Sequence, residues 1–271
     1  NAWFQRWAVR QLSRLQQPGL NVFSYSYAAR SIFRLARERG YPCVLGQIDP
    51  GPEEEQLVIA EHRRYPHLAG SWQPAPAQYW QHWQEELELA DRIVVNSPWS
   101  QRCLLRQGVP ASKLRLIPLV YEPSVERAPA QSAPASPFQL LFLGTIGLRK
   151  GIGRLLEAMS ILEPEPVQLT LAGSSELDPQ AWVTAPNIRW LGPLPRSQVG
   201  KLYRQAHAMI LPTLSDGFAI TQLEALAHGC PVIASAFCGE VVAPGLNGWL
   251  LPSLEPEAIA ATIREAMDTA H

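Results

Sequence analysis

Apolar, strand-like runs alternate with helical segments along the second half of the chain, and this alternation is the strongest constraint on the fold. The runs FQLLFLG, VQLTLAG, AMILPT and PVIASA are separated by segments with helical periodicity, such as GIGRLLEAMSIL and GFAITQLEALAHG. Alternation of this kind predicts a parallel sheet with helices on both faces. The runs lack the polar alternation of a half-solvated strand, so we expect both faces of the sheet to be covered.

A Pro- and Ala-rich stretch divides the chain into two parts. Residues 122–137, EPSVERAPAQSAPASP, hold four prolines, four alanines and no aromatic residue, which is typical of a linker. We therefore expect an N-terminal domain over 1–122, a linker over 123–137 and a C-terminal domain over 138–271. The N-terminal part has the same α/β rhythm but only about three strand-like runs, fewer than a complete doubly wound domain has, so we expect this domain to be incomplete.

The charge balance and the composition exclude several classes of protein. The 271 residues include 23 basic and 24 acidic side chains, so the formal net charge is -1 and nothing indicates a nucleic-acid partner. With 46% hydrophobic and 17% charged residues, the chain is not intrinsically disordered. No apolar run approaches the ~18 to 20 residues of a membrane span. The cysteines form no C-x-x-C pair, and we predict reduced thiols in a cytoplasmic protein.

Sequence patterns for metal ligands and cofactors are missing. The six histidines show no H-E-x-x-H arrangement, and no D-x-D pair is present to hold a divalent cation against a diphosphate. We therefore expect no protein-bound metal and no cofactor. Glu53, Glu54 and Glu55 are predicted to be a solvated acidic run.

The first residues combine aromatic and basic side chains in a helical repeat. One stripe holds Trp3, Phe4, Trp7, Ala8, Leu12 and Leu15, and a second stripe holds Arg6, Arg10 and Arg14. A helix that lies on a membrane surface has this composition, but so does an ordinary helix packed on a sheet. The ordinary interpretation is favoured, with peripheral membrane contact at the cytoplasmic face as the alternative.

The most informative stretch of the sequence is LPTLSDGFAITQLEALAHGCPVIAS. A buried-looking strand is followed by a polar turn, and Gly217 is predicted to open a helix that runs to about His228, with Asp216 as an N-cap residue. The first amides of such a helix point out of the carboxyl end of the sheet and bind anions, phosphates above all. The amides concerned are those of Gly217, Phe218 and Ala219.

A second acidic residue follows in the same predicted helix. Glu224 would lie seven residues in, a displacement of roughly 10 Å at 1.5 Å per residue. Asp216 and Glu224 could then bracket an elongated ligand and accept hydrogen bonds from sugar and ribose hydroxyls. The alternative is a capping aspartate and a solvated glutamate.

The first strand of the second half runs into a glycine-bounded turn with two adjacent cations. The turn TIGLRKG carries Arg149 and Lys150, which could neutralise a leaving diphosphate, and Gly144 lets its backbone approach a ligand. The turn does not match G-x-G-x-x-G or G-x-x-x-x-G-K-[ST]. This argues against a Rossmann oxidoreductase and a P-loop nucleotidase, and favours a nucleoside diphosphate bound by open loops.

These motifs together resemble the family-4 retaining glycosyltransferases of the GT-B architecture, over residues 21–265. Asp216 and Glu224 occupy the two acidic positions of that family's E-x7-E motif, with Asp in place of the first Glu, and Lys150 matches the lysine of its G-R-L-x-x-x-K-G motif. The segments ADRIVVNSPWSQRCLLRQGVPASKLRLIPL and CPVIASAFCGEVVAPGLNGWLLP are also similar to family segments. The resemblance implies an α/β fold of two Rossmann-like domains whose parallel sheets face each other across a cleft.

The resemblance also implies a reaction and a set of roles. Lys150 would bind the diphosphate, Glu224 the ribose, and Asp216 the transferred sugar together with the backbone of 217–219. Residues from Leu191 to Leu194 would line the nucleobase. The donor would be a nucleotide sugar, the acceptor an unknown sugar, lipid or glycan, and transfer would retain the anomeric configuration without a metal. Relative to the family, we expect the N-terminal Gly-rich loop and the last C-terminal helix to be absent.

Two positions depart from the family pattern. Thr145 stands where an arginine is common, and Arg149 is the candidate replacement. Asp49 stands where many members have a histidine; it is either an acceptor-side polar group or general base, or a turn-forming aspartate before Pro50. These departures leave a non-catalytic sugar-nucleotide-binding or scaffold relative as the rival function.

Overall fold

The chain forms two compact units. A computed structural model describes residues 1–15, 17–123, 136–182 and 185–269. Unit 1 consists of Asn1–Glu53 and Gln73–Pro118, and unit 2 of Glu54–Trp72 and Leu119–His271. Residues 124–135 of the predicted linker lie outside the described residues.

Unit 1 is built on a parallel four-stranded sheet of order β1-β2-β3-β4. Its strands are β1 (Val22–Tyr25), β2 (Cys43–Gln47), β3 (Arg92–Val95) and β4 (Leu114–Leu116). Its helices are α1 (Ala2–Arg14), α2 (Arg30–Glu38), the first turn of α3 (Pro52–Arg64), α4 (Ala77–Leu89) and α5 (Pro98–Arg106). The expectation of about three strands was one too low, because the apolar run KLRLIPL also pairs, as the short β4 beside β3.

Unit 2 contains a parallel six-stranded sheet of order β10-β9-β8-β5-β6-β7. Its strands are β5 (Phe138–Leu143), β6 (Val167–Ala172), β7 (Ile188–Trp190), β8 (Ala208–Leu211), β9 (Val232–Ala234) and β10 (Gly248–Leu250). Its helices are α6 (Ile152–Ile161), α7 (Arg196–Gln205), α8 (Thr221–Ala227) and α9 (Pro256–Thr269). The predicted parallel α/β architecture is confirmed in both units.

The strand order of unit 2 reverses between β5 and β8. From β5 the chain moves outward through β6 to β7 and then returns to place β8 on the other side of β5. Ligands of open α/β sheets bind outside the carboxyl ends of the strands at such a switch point. A ligand-binding site is therefore expected at the loops that follow β5 and β8.

The core of unit 2 explains why its strands read as unbroken apolar runs. All four residues of β8 are buried, and β5 and β6 bury most of their residues as well. Helices α6 and α9 pack against each other, and their buried side chains belong to the same apolar core. In a strand that is covered on both faces, apolar residues need not alternate with polar ones.

Most of α3 belongs to unit 2, although it precedes the predicted boundary at residue 122. The Glu61 carboxylate makes two parallel hydrogen bonds with the Arg154 guanidinium, both of 2.8 Å. Tyr65 is 2% exposed and lies against Gly153, where an added Cβ would come within 2.7 Å of the ring. The segment 54–72 therefore contributes both a buried ion pair and a core aromatic residue to the second unit.

Helix α1 buries only part of the stripe that the sequence predicts. Leu12 is buried, and Ala8 and Val9 pack against the core of unit 1. Trp3 and Trp7 remain 71% and 48% exposed, because they lie on the side of the helix that faces away from this core. Among the described residues, no helix combines the length and apolar character needed to cross a membrane.

Candidate functional site

The loops that follow β5 and β8 in unit 2 are joined directly. After β5 the chain passes through a 3-10 turn, Leu148–Lys150, and Gly151 with φ of 73°. The Arg149 carbonyl oxygen accepts a hydrogen bond from the Leu214 amide at 3.0 Å and another from the Thr213 hydroxyl at 3.2 Å. The two predicted motifs thus come together at the switch point of the sheet.

Two cations and one carboxylate meet where these loops touch. Lys150 Nζ donates a hydrogen bond to Asp216 Oδ2. Arg149 Nη1 lies 3.6 Å from the same oxygen and donates to the Ser215 carbonyl at 3.0 Å. The side chains of Lys150 and Asp216 are 15% and 14% exposed, so this contact is only weakly screened by water.

The charge of Asp216 is strongly stabilised. Burial by itself would raise the pKa of this carboxyl group, but attraction and hydrogen bonding from Lys150 act in the opposite direction. Arg149 and the Phe218 amide add to the effect of Lys150, and the net result is a pKa below the ordinary value of 3.8. Asp216 is therefore ionised at neutral pH.

The loop after β8 differs from the predicted helix start. Helix α8 begins at Thr221, not at Gly217, and Ala219 has φ of 59°, which no helical residue adopts. The amides of Phe218 and Ala219 donate to Asp216 Oδ1 at 3.0 and 2.8 Å. An aspartate is short enough to fold back on the amides that follow it. These two amides, predicted to face a ligand, are instead satisfied by the carboxylate, and Gly217 beside them is buried.

Glu224 lies in the first turn of α8 rather than seven residues into a helix. The spacing of roughly 10 Å expected from helical rise does not apply, because residues 216–220 are not helical. Glu224 Oε2 accepts a hydrogen bond from the Tyr203 hydroxyl at 3.2 Å, and Oε1 lies 3.6 Å from Arg196 Nη2. Its side chain is 16% exposed, so the interpretation as a solvated helical glutamate does not describe it.

The remaining predicted donor residues lie at the ends of β5 and β7. Gly144 follows β5 with φ of 147°, and its carbonyl oxygen would be 1.9 Å from a Cβ added at Gly173. Thr145 is half-buried beside it. Leu191 and Leu194 follow β7, two strands away from β5, and Leu194 packs against the core of the unit.

One functional candidate was missed by sequence reasoning at the start of α3. Glu54 Oε2 lies 3.8 Å from Arg149 Nη1, and the side chain of Glu54 is only 18% exposed. The prediction of a solvated run over 53–55 was wrong at this position. No sequence signal links a glutamate in an acidic triplet to a cation almost a hundred residues further on, and only the folding of α3 into unit 2 brings the two together.

Asp49, the predicted acceptor-side residue, belongs to unit 1. Its Oδ1 accepts hydrogen bonds from the Gly51 amide at 2.8 Å, from the Tyr27 hydroxyl at 2.6 Å and from the Gln47 side-chain amide at 3.1 Å. The bond to Gly51 is that of an aspartate turn, and Gly51 has φ of 72°. Of the two interpretations left open, this geometry favours the turn.

Metal-ligand clusters and thiols are the other groups that could support chemistry in the described part of the chain. No group of three or more His, Cys, Asp or Glu side chains is arranged to hold a metal ion there. The four cysteines are buried and not disulfide-bonded. Burial raises the pKa of the Cys230 and Cys238 thiols to about 12, so neither thiol is ionised at neutral pH.

The two parallel-sheet units place the chain in the GT-B class of α/β folds. Residues 137–269 match the family model described as "Glycosyl transferases group 1". This segment of the chain is therefore similar to the group 1 glycosyl transferases.

Relatives of known sequence carry related descriptions. The amylovoran biosynthesis glycosyltransferase AmsK of Erwinia amylovora is 25% identical over 187 residues, which are 63% of this chain and 46% of AmsK. A D-inositol 3-phosphate glycosyltransferase of Frankia alni is 32% identical over 151 residues, 49% of this chain and 37% of the relative. The chain thus spans less than half the length of these relatives.

Solved structures share the fold of nearly the whole chain. Sucrose-phosphate synthase from Thermosynechococcus elongatus superposes with a TM-score of 0.71 at 22% identity, covering 98% of this chain and 68% of the synthase. Anabaena HepE in complex with UDP superposes with a TM-score of 0.71 at 17% identity, covering 98% of this chain and 73% of HepE.

Proposed function

We propose that the chain is part of a family-4 glycosyltransferase that moves a sugar from a nucleoside diphosphate to an acceptor sugar, lipid or glycan. The observation that carries the proposal is the meeting of Lys150, Arg149 and Asp216 at the switch point of unit 2. The match of residues 137–269 to the glycosyl transferase model and the descriptions of the relatives support it, since AmsK is named as a glycosyltransferase and HepE was solved with UDP and with UDP-glucose.

The two cations are the proposed binding site of the donor diphosphate. Lys150 and Arg149 approach one carboxylate oxygen from adjacent positions of the loop after β5, so a diphosphate that took the place of this oxygen would meet both charges. Arg149 would supply the charge that Thr145 cannot. Two fixed positive charges stabilise the leaving diphosphate without a metal ion or a cofactor.

Asp216 and Glu224 are the proposed sugar and ribose acceptors. Because the amides of Phe218 and Ala219 are bound to Asp216, this loop would contact the transferred sugar mainly through the carboxylate. Glu224 would accept hydrogen bonds from the ribose hydroxyls. Backbone around Gly144 and Gly217 would border the diphosphate, and Leu191 with Leu194 would line the nucleobase.

Retention of configuration follows from the proposed geometry of transfer. The bond between the anomeric carbon and the diphosphate oxygen breaks, and the acceptor oxygen bonds to the same carbon on the face that the diphosphate leaves. The proton of the acceptor hydroxyl passes to the departing diphosphate oxygen. No protein nucleophile is needed, so the rate enhancement rests on positioning and on electrostatic stabilisation. Asp49 stays a weak candidate for the acceptor side, because its Oδ1 already serves a turn, a tyrosine and a glutamine.

Calorimetric titration of the chain with UDP, GDP and ADP tests the donor site. Replacing Lys150 or Glu224 by Ala should weaken binding by about 1.5 to 3 kcal/mol, roughly 10- to 150-fold, the scale of a hydrogen bond to a charged group. Lys201→Ala, an exposed lysine on α7, is the matched control and should bind as the unchanged chain does. Unchanged affinity in both site variants rules out this placement of the donor.

Mass spectrometry of products from a panel of nucleotide sugars tests catalysis. The non-catalytic relative is the second candidate function, favoured by Thr145 and by the turn geometry of Asp49. Donor binding without transfer or release of nucleoside diphosphate supports that candidate. Saturable binding of NADH contradicts both and supports an oxidoreductase.

Peripheral contact of α1 with an anionic membrane surface is proposed as the location of this reaction, at the cytoplasmic face. Trp3, Phe4 and Trp7 are exposed, and α1 contains three arginines and no acidic residue. A cavity of about 460 Å³ between α1 and α2 is lined by Arg6, Arg10 and Arg30, among others. Aromatic and basic side chains on one exposed helix surface suit lipid headgroups.

Vesicle sedimentation tests this contact. The chain should sediment with vesicles rich in phosphatidylglycerol and not with phosphatidylcholine vesicles. Replacing Trp3 and Trp7 by Ala should reduce the bound fraction several-fold. Equal binding to phosphatidylglycerol and phosphatidylcholine vesicles contradicts the proposal. Equal binding of the unchanged chain and of the variant without Trp3 and Trp7 contradicts it as well.

A further inference from the structure

Tyr203 is a buried tyrosine whose hydroxyl group reaches the candidate ribose-binding carboxylate. It lies on α7 and is 1% exposed, among the most completely buried large side chains of the described chain. Its hydroxyl donates to Glu224 Oε2 at 3.2 Å and lies 3.4 Å from the Thr221 carbonyl oxygen. A buried hydroxyl is retained at little cost only when it has such a partner.

The ring of Tyr203 has little freedom to move. It stacks on the ring of His228 with centroids 5.4 Å apart and an interplanar angle of 29°. His228 Nδ1 in turn lies 2.8 Å from the Glu224 carbonyl oxygen. A Cβ at Gly200, one turn before Tyr203 in α7, would lie 2.8 Å from His228 Nε2. The hydroxyl group of Tyr203 is therefore held at a defined distance from α8.

The two oxygens of Glu224 have different surroundings. Oε2 accepts its hydrogen bond from buried Tyr203, whereas Oε1 lies 3.6 Å from a guanidinium nitrogen of Arg196, whose side chain is 87% exposed. An exposed arginine exchanges readily with water, and such ion pairs contribute little. One oxygen is thus held by a buried hydroxyl, and the other lies beside an exposed arginine that a ligand can displace.

Tyr203 stays protonated over the working range of the protein. Burial, followed by the negative charge of Glu224 and the hydrogen bond to it, raises the pKa of the phenol above its usual value of 10.0. The hydroxyl therefore keeps the proton that it donates to Glu224 Oε2. The hydrogen bond fixes the direction of the Glu224 side chain.

We propose that Tyr203 is the positioning residue that orients Glu224 toward the ribose hydroxyls of the donor. The inference rests on the proposed function, in which Glu224 binds the ribose. Orientation of a carboxylate by a buried donor reduces the conformational entropy lost when the ligand binds. Tyr203 itself need not touch the donor.

Calorimetry with matched ligands tests the inference on the full chain. The probes are UDP and GDP, each compared with its 2′,3′-dideoxy analogue. The unchanged chain should prefer the ribose form. Tyr203→Phe, which keeps the ring and its stacking on His228, should weaken binding of the ribose form by about 3- to 10-fold and leave the dideoxy form unchanged.

A second tyrosine in the same unit provides the control. Tyr65 is 2% exposed, and its hydroxyl donates to Glu157 Oε2 at 2.9 Å, away from the candidate site. Tyr65→Phe should leave the affinity for all four ligands unchanged. In a background of Glu224→Ala, Tyr203→Phe should have no further effect, because the residue through which it acts is gone.

The outcomes separate this inference from the proposed function. If the unchanged chain does not distinguish ribose from dideoxyribose, the ribose role of Glu224 fails and the inference falls with it. If the chain distinguishes them and Glu224→Ala removes the difference, but Tyr203→Phe binds normally, only the inference is overturned. Equal weakening of ribose and dideoxy forms by Tyr203→Phe also overturns it, since this marks a general structural effect.

Discussion

Asp49 of unit 1 and Asp216 of unit 2 form the same kind of turn between an aspartate side chain and the backbone, but their side chains have different polar neighbours. Each follows a strand of a parallel sheet, and each accepts a hydrogen bond from the amide two residues further on, Gly51 for the first and Phe218 for the second. The Asp49 Oδ1 atom also accepts hydrogen bonds from a tyrosine hydroxyl and a glutamine amide, which are neutral groups. Asp216 instead directs its second oxygen at Lys150.

The difference shows what distinguishes a turn-forming aspartate from a site aspartate. The turn itself is a local matter of one short side chain and the amides that follow it. The cations come from a loop that is distant in sequence and reaches Asp216 only because β5 and β8 are neighbours in the sheet. The sequence around an aspartate therefore indicates whether it can form such a turn, but not whether cations from a distant loop reach it.

The largest expected effect contrasts two glycines, Gly151 in the loop that carries Lys150 and Gly51 in the Asp49 turn. Gly151 and Gly51 have φ of 73° and 72°, but a Cβ would lie 1.9 Å from the Pro212 carbonyl oxygen at the first and 2.7 Å from the Trp83 ring at the second. Gly151→Ala should lower the free energy of unfolding by roughly 3 to 5 kcal/mol, and Gly51→Ala by about 2 kcal/mol. Urea titrations followed by circular dichroism measure both. Equal losses would mean that the two loops are equally tolerant.

A smaller effect concerns the anion affinity of the two loops. In Asp216→Asn, Lys150 and Arg149 lose the negative charge that neutralises them, so inorganic pyrophosphate should bind about 10-fold tighter. Sugar transfer should fall in the same variant, because the proposed sugar contact is weakened. Asp49→Asn, the matched change in unit 1, should leave pyrophosphate affinity unchanged. A loss of pyrophosphate affinity in Asp216→Asn would show that the carboxylate supports the anion site rather than occupying it.

The smallest expected effect is a dependence of stability on pH. Because the pKa of folded Asp216 lies below its ordinary value of 3.8, the ionised carboxylate stabilises the fold above that pH, and this contribution is lost as pH falls through the lower, folded pKa. The unfolding free energies of the unchanged chain and of Asp216→Asn should therefore converge as the pH falls below 3.8. A constant difference from pH 6 down to pH 2.5 would contradict the ion pair.

Fold class and the convergence of two loops could be predicted because they follow from regular patterns. Strands covered on both faces read as continuous apolar runs, and β8 has no exposed residue to interrupt this reading. Ser97 caps the start of α5, where its hydroxyl accepts a hydrogen bond from the Ser100 amide at 3.0 Å, and the Ser-Pro pair at 97–98 is a sequence signal for such a cap. Both signals are short in range and depend on one element at a time.

The details of the site could not be predicted because they depend on which of several groups binds a given hydrogen-bond donor. The start of α8 was placed four residues early, since Asp216 satisfies the amides of Phe218 and Ala219 outside a helix. Tyr203 carried no signal either, because a tyrosine in an amphipathic helix is usually a core residue. The role proposed for its hydroxyl depends on the contact with Glu224 of another helix, which the sequence of α7 does not reveal.

The assignment of residues 54–72 to the second unit has a practical consequence for dissecting the protein. A polypeptide that starts at Phe138 would retain the six-stranded sheet and both loops of the site. It would lose Glu61, so Arg154 would be without its carboxylate partner. It would also lose Tyr65, whose ring fills the space beside Gly153. Simple truncation should thus give an aggregation-prone product. Fusing or co-expressing the missing helix, as in split-protein complementation, is the rational way to obtain that half by itself.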